Sequence, residues 1–461
     1  MAATATPKKA TPFDTRQVTS ELRREAGRAR RTDVPRSNQA LWEPPSDRRD
    51  PIVVLEEEER GRVQELLPIR HARMIASPFA YLRGAAAAMA EDLASTPVTG
   101  LRVQACGDAH LLNFGVFATP ERRLVFDIND FDETLPAPFE WDVKRLAASL
   151  MVAGRDRGLS AKQCDEAARA ASEAYRTRMA VSAEIGYLDT WYAAADVVEL
   201  LALMRTSEAR KVTRRVNKAQ RATSVGALDK LTRVIDGQRR IVDAPPLMEH
   251  LPVTPGEANV PLVVRRYWKS LPDDRRVLLE RYRLVDWARK VVGVGSVGTN
   301  DAVGLLVGDT DADPLFLQVK EAKESVLQRF AGRSAYANHG QRVVRGQQLM
   351  QTASDIFLGW TRLEQRDYYV RQLRDMKGSI SIEKLSPREL VEYARWCGAA
   401  LGRGHARSGD PVAITAYLGT GDSFDRAIAR FAAAYADQTE RDHAALVEAV
   451  RSGRLEAAPA E

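Results

Sequence analysis

The sequence predicts an α+β fold in which two β-rich islands are set in a mostly helical chain. Three observations carry that expectation. Short apolar runs separated by turn residues recur over residues 101–135 and again over 287–319, the texture of short strands and tight hairpins. Between and beyond them the apolar residues return at helical spacing. At 461 residues the chain is long enough for two or three units of roughly 100–200 residues, each with its own core.

Residues 1–50 lack apolar periodicity, crowd Arg23, Arg24, Arg28, Arg30 and Arg31 together, and end in a proline-rich charged stretch. A flexible basic tail is expected there, with one amphipathic turn around residues 16–29. Residues 51–260 form the next unit. Its segment 56–94 is helical in pattern and restarts at Ser77-Pro78, where proline suits the first turn of a new helix. Apolar runs at 101–105, 114–117 and 124–128 then predict strands, and 139–203 predicts helices, one opened by Trp141-Asp142. A basic helix is expected over 205–221, read as a solvated face. Residues 261–385 form a β-rich unit, with a helix near 340–354 and strands at 356–363 and 368–373. Residues 386–461 are helical again.

Hydrophobic residues make up 44% and charged residues 28%, ordinary values for a globular protein. The net charge of +6 arises from 68 basic and 62 acidic residues, a small excess that permits an anionic ligand without calling for nucleic acid. No apolar run approaches the ~18 residues that suggest a membrane span. The N-terminus lacks an apolar leader core, and Cys106, Cys164 and Cys397 are scattered and odd in number. A reduced, cytoplasmic protein without a membrane or nucleic-acid partner is the expectation.

The densest chemistry is Gly107-Asp108-Ala109-His110-Leu111-Leu112-Asn113. An Asp and an Asn five residues apart, on a loop leaving a strand, can aim two oxygens into one small volume. Phosphoryl transfer needs that pair, the carboxylate to take or orient a hydroxyl and the neutral amide oxygen to help hold Mg²⁺. Downstream, Asp127, Asp130, Asp132 and Glu133 crowd one short stretch, which is costly unless solvated or offset by a hard cation. Later in the chain, Gly293, Gly295 and Gly298 form a GxGxxG set after an apolar run, with Ser296 among them. A dinucleotide site would need a helix next, whereas here Asn300-Asp301 leads to another strand-like run. A third run ends at Lys320, with Lys323 close behind.

GDAHLLN resembles the catalytic loop of aminoglycoside and choline kinases, and DFDE resembles their metal-binding segment. The resemblance implies Asp108 as catalytic base and Asn113 as a metal ligand. Asp130 becomes the principal metal ligand, with Asp127 and Asp132 as rivals, and Asp142 a brace for the loop. Cys106 stands where those families often place His. The glycine hairpin and Lys320 resemble a kinase glycine-rich loop and its phosphate-pairing lysine. The helix at 341–354 would then be the one that usually carries a glutamate for that lysine, and it has no acid before Asp355. Gln372, Leu373 and Arg374 resemble the hinge whose backbone binds adenine, and the helix ending near His405 resembles the one that leads into the catalytic loop.

The order in the chain is therefore that of a circularly permuted, bilobal protein-kinase-like fold. Its helical lobe comes first and its β-rich nucleotide lobe late. ATP and Mg²⁺ are the implied cofactors, with a hydroxyl of a small molecule or protein as acceptor. Nucleotidyl transfer and a nucleotide-binding pseudokinase are the alternatives. Arg70, His71, Arg73 and Arg83 are weaker candidates for a phosphate clamp. The pattern RHARM, SPFAYLRG, GDAHLLNFG, FDINDFDE and WDVKRLA also resembles the uncharacterised bacterial family DUF2252, over about residues 65–450.

Overall fold

The computed structural model describes residues 18–198, 224–250, 260–291, 293–295, 297–373, 376, 378 and 381–459. The first stretch holds helices α1 (Ser20–Asp33), α2 (Pro51–Glu59), α3 (Leu67–Met74), α4 (Pro78–Gly84) and α5 (Ala86–Ala94). Strands β1 (Arg102–Ala105), β2 (Phe114–Ala118), β3 (Leu124–Ile128) and β4 (Leu135–Pro138) follow, then α6 (Phe139–Asp156), α7 (Ala161–Glu184) and α8 (Tyr187–Tyr192). The middle comprises α9 (Ser224–Leu231), β5 (Thr232–Ile235), β6 (Gln238–Ile241), β7 (Met248–Glu249), α10 (Val260–Ser270) and α11 (Asp273–Leu279). After these come β8 (Arg283–Lys290), β9 (Ala302–Val307), β10 (Pro314–Ala322), α12 (Gln328–Ala331), α13 (His339–Met350), β11 (Gly359–Leu363) and β12 (Arg366–Gln372). The chain closes with α14 (Pro387–Ala406), α15 (Pro411–Leu418) and α16 (Ser423–Arg451).

Local chemistry sets several of these boundaries. The Ser77 hydroxyl accepts from Ala80 N and Pro78 occupies the first turn of α4. Capping boxes, Ser160 with Gln163 and Ser386 with Glu389, open α7 and α14. The main core is then built from α6, α7, α14 and α16, where Phe139, Leu150, Tyr175, Leu401, Phe424 and Phe431 are fully or almost fully buried. The late helices thus return to pack on the early ones.

The other layer is an antiparallel six-stranded sheet of order β11-β12-β10-β9-β8-β7. Alternation along β10 divides its two faces. Leu315 and Leu317 join Tyr267, Leu271, Phe357 and Val370 on one side. Phe316 joins Val303, Leu305 and Ala288 on the other, under Ala227 and Leu228 of α9. Lys320 shares the Phe316 face, and its ammonium reaches Asp132 in the helical layer. Among the described residues no helix is long and apolar enough to cross a membrane, and the three cysteines are buried and unpaired.

Within residues 1–50 the single turn expected around 16–29 is a full helix over 20–33, and the flexible-tail expectation needs correction there. There α1 packs on α15, with Gly27 pressed against the Ala413 backbone, Arg23 paired with Asp410 at 3.3 Å and Arg31 donating to the Tyr417 carbonyl at 2.9 Å. Those partners lie at the far end of the sequence, so no local pattern announces them. The basic segment 205–221 lies outside the described residues.

Candidate active site

Strand β1 ends at Ala105 and the chain turns at Gly107, whose φ is +85° and whose absent side chain leaves room for the Glu133 carbonyl. The turn is held from below by Asp142 on the first turn of α6. Its carboxylate accepts from Cys106 N at 2.8 Å, Gly107 N at 3.0 Å and His405 Nε2 at 3.1 Å. His405, at the end of α14, meets the Tyr175 hydroxyl at 3.0 Å through Nδ1. The Cys106 thiol is pushed well above its ordinary value, by burial first and then by Asp142 and Asp108, so it stays neutral.

Asp108 leaves this turn with Oδ1 accepting from Arg145 Nε at 2.8 Å and Nη2 at 2.6 Å, while Oδ2 lies 3.7 Å from His110 Nε2. Burial lowers His110 to about 4, with Arg145 and Arg83 acting in the same direction. Its imidazole is neutral at physiological pH. Asn113 Nδ2 donates to the Asp108 carbonyl at 2.7 Å, which leaves Oδ1 as the atom able to take a cation.

The acidic stretch divides three ways. Asp127 is fully buried on β3, where it accepts from Arg403 at 2.8 Å, Ile128 N at 3.0 Å and Thr352 N at 2.9 Å. It does not line the cleft that holds Asp108, so the structure does not bring it to the other metal candidates. Asp132 is engaged at both oxygens, by Lys320 Nζ and the Tyr369 hydroxyl, each at 2.6 Å. Burial opposes its ionisation, but Lys320 and Tyr369 hold it low. Asp130 receives Asp132 N at 3.1 Å, and burial followed by the charge of Asp132 pushes its carboxyl up. A carboxylate raised in that way favours an incoming cation.

From the sheet side comes Lys320, almost fully buried. Burial alone would pull its ammonium down, but Asp132, then Tyr369 and Asp130, hold it well above its ordinary value. On α13, where a glutamate would pair with it, Arg342 instead donates to the carbonyls of Thr134, Asp132 and Lys323 at 2.7 to 2.8 Å. The lysine's partner is therefore supplied by the acidic segment itself. Lys323 also reaches the cleft, with Nζ donating to the Gly61 carbonyl at 2.8 Å.

The glycine segment joins β8 to β9, with Gly293 at φ +71° and Gly298 at +86°. Arg73 donates to the Gly293 carbonyl at 2.6 Å, and Arg62 to the carbonyls of Gly295 and Val297 at 2.7 Å. Its carbonyls are thus tied to the N-terminal helices. Gly293 and Gly295 line one cleft with Asp108, Asn113, Asp130, Asp132 and Arg83. Gly298 packs on Arg62 instead. Ser296 and Arg374 lie outside the described residues.

The hinge residues are less open than the resemblance implies. Gln372 N donates to Asp355 and Leu373 N to the Phe316 carbonyl, so neither amide is presented to a base. Beside Leu373 is a cavity of about 280 Å³, lined by Phe117, Asn129, Gln318 and Arg371. Arg70 and His71 also fall away from the cleft, because Glu58, Glu59, the Gly84 carbonyl and the Glu456 carbonyl take up Nη1 and Nη2 of Arg70 and both ring nitrogens of His71. Sequence reasoning missed Arg145, Tyr369 and Arg342. Only Arg145 carried a local signal: it lies one helical turn after Asp142, and so on the same face of α6.

A pH test arises beside the lysine. Asp301 is buried, its Oδ1 accepting from Thr299 Oγ1 at 2.9 Å and Glu321 N at 3.2 Å. Burial raises it to about 7, against the pull of Lys320. The native state then holds this proton more tightly than the unfolded chain. Its stabilisation is complete below about pH 4 and is lost as pH rises through 7, at about 1.4 kcal/mol per unit. Asp301→Asn keeps the Oδ1 contacts and cannot ionise, so its melting temperature at pH 8 is expected to exceed the parent's. An unchanged pH profile of melting would contradict the shift.

Among the described residues no three His, Cys, Asp or Glu side chains form a ready-made metal cluster. None of the curated proteins and none of the solved structures matches the chain. One family model does match, over residues 62–449, described as an uncharacterized protein conserved in bacteria, DUF2252. The chain belongs to that family.

Proposed function

We propose that this member of the DUF2252 family is a phosphotransferase built on a kinase-like pair of lobes in permuted order. It would move the γ-phosphoryl group of ATP to a hydroxyl on a small molecule or protein. One observation carries the reading: Gly293 and Gly295 line the same cleft as Asp108, Asn113, Asp130 and Asp132, which come from a distant part of the chain. Further support comes from the succession of elements. A glycine segment joins β8 to β9, a buried lysine follows on β10, and α13 comes after the single turn of α12, much as in the nucleotide lobe of protein kinases.

The donor set suits Mg²⁺, which is usually held by one or two carboxylates together with water and substrate phosphates. Asn113 Oδ1 and Asp130 would hold it, and when bound it supplies charge neutralisation at the triphosphate. Asp132, which lines the cleft, keeps Lys320 charged and holds its ammonium behind the cleft wall. Arg145 fixes the rotation of Asp108 by holding Oδ1, leaving Oδ2 to receive the acceptor's proton. The acceptor oxygen bonds to the γ-phosphorus, the bond to the bridging oxygen breaks, and ADP leaves with the electron pair.

Mass analysis after incubation with Mg-ATP and a panel of hydroxyl compounds and proteins tests this. A gain of one phosphoryl group is expected, and Asp108→Asn should lower turnover about 10³-fold while nucleotide affinity is retained. A gain of AMP would assign nucleotidyl transfer instead. Tight ATP binding without consumption would leave a nucleotide sensor, and full activity in Asp108→Asn would remove the base.

A further inference from the structure

The cations around the cleft are nearly all engaged. Arg62 is tied to Glu58 and two glycine-segment carbonyls, Arg73 to the Gly293 carbonyl, Arg145 to Asp108, Lys320 to Asp132 and Lys323 to the Gly61 carbonyl. Arg83 differs. It stands on the last turn of α4 and lines the cleft. Among the described residues its guanidinium has no hydrogen bond or ion pair, and its Nε is buried without an acceptor. A half-buried guanidinium without an anion is costly to maintain. Its planar fork matches the oxygens of a phosphoryl group better than a lysine would.

Its location narrows the choice of anion. The Arg83 carbonyl lies directly beneath Gly295, 3.4 Å from where a Cβ on that glycine would stand, so the residue sits under the segment that would cover the phosphates. Burial pulls the guanidinium below its usual value, and Asp108 is the acid that most strongly counters that pull. Arg83 thus has its backbone against the glycine segment and lines the same cleft as Asp108, Asn113 and Asp130.

We infer that Arg83 is a catalytic residue that contacts the oxygens of the phosphoryl group in flight, stabilising charge that develops between ADP and acceptor. The inference rests on the phosphotransfer reading above. The guanidinium stays protonated throughout and exchanges no proton. A cation supplied from within the chain in this way is worth about 10³-fold or more in rate.

The test uses the whole chain and needs no knowledge of the acceptor. Calorimetry with Mg-ADP, with and without aluminium fluoride as the planar phosphoryl mimic, compares the parent with Arg83→Gln and Arg83→Lys. The parent is expected to bind Mg-ADP and to tighten about 100-fold or more with fluoride. Arg83→Gln should bind Mg-ADP within about twofold of the parent and lose the tightening, while Arg83→Lys recovers part of it. Because Arg83 gives up no internal bond, both variants should melt like the parent, and Arg83→Lys preserves the test if the glutamine variant folds poorly. Equal tightening in Arg83→Gln overturns the inference and assigns Arg83 to holding an anionic acceptor. A parent that binds Mg-ADP but gains nothing from fluoride overturns it too, with nucleotide binding intact. A parent that binds no Mg-ADP removes the phosphotransfer reading and the inference with it.

Discussion

Replacing Asp142 with alanine is expected to destabilise the protein by about 3–5 kcal/mol and to abolish turnover. The carboxylate is almost fully buried and holds three donors, Cys106 N, Gly107 N and His405 Nε2. Alanine would leave all three buried without an acceptor, at about 1–3 kcal/mol each before relaxation. Asp142→Asn should cost less, because one oxygen still accepts while the amide group opposes a donor. Urea unfolding of both variants checks the order. The functional effect follows from the same contacts: Gly107 and Asp108 are adjacent, so losing the brace frees Asp108, the proposed base, from the geometry that Arg145 and Asn113 complete. A His405→Ala variant paired with Asp142→Ala in a double-mutant cycle should show strong coupling. Additive losses would mean that the brace is not one unit.

The parts of the fold that could be read from sequence are those whose cause is local. Strands at 102–105, 114–118 and 124–128, the helix restart at Ser77-Pro78 and the pair of late strands at 359–363 and 366–372 all follow from short apolar runs, caps and turns. The spacing of Asp108 and Asn113 was equally legible, because both lie on one short loop. Choices among neighbours were not. Asp127 and Asp130 stand three residues apart in one acidic run, and only the arrival of Arg403 from α14 takes up the first. The resemblance puts the partner of Lys320 on α13. Arg342 occupies that helix instead, and Asp132 reaches the lysine from another part of the chain. The hinge amides looked open because nothing in Gln372-Leu373 announces that Asp355 and Phe316 will claim them. Helices α10 and α11 fall almost wholly within residues 261–385, where a β-rich unit with a helix near 340–354 is the sequence expectation.

The pairing of Lys320 with Asp132 yields the most discriminating expectation, because its two ends are unequally exposed. The lysine side chain is 3% exposed and the aspartate 30%. Asp132→Ala would leave a buried ammonium without its hydrogen-bonded carboxylate, over the Tyr369 ring at 5.4 Å from its centroid, with Asp130 and Asp301 nearby. A loss of about 3–5 kcal/mol is expected. Lys320→Met keeps the buried methylenes and leaves Asp132 with water and the Tyr369 hydroxyl, so its cost should be about 1 kcal/mol or less. The double variant should then be more stable than Asp132→Ala alone, since removing the lysine removes the stranded charge. Equal destabilisation by the two single variants would mean that the pair is not asymmetric in this way. Activity should not follow stability through this series. On the phosphotransfer proposal, Lys320→Met and the double variant both lack the ammonium assigned to the phosphates, and should bind Mg-ATP weakly and turn it over about 10²-fold more slowly or worse while remaining folded. A folded Lys320→Met variant with full turnover would separate the lysine from the chemistry and leave it a purely structural tie between the sheet and the acidic segment.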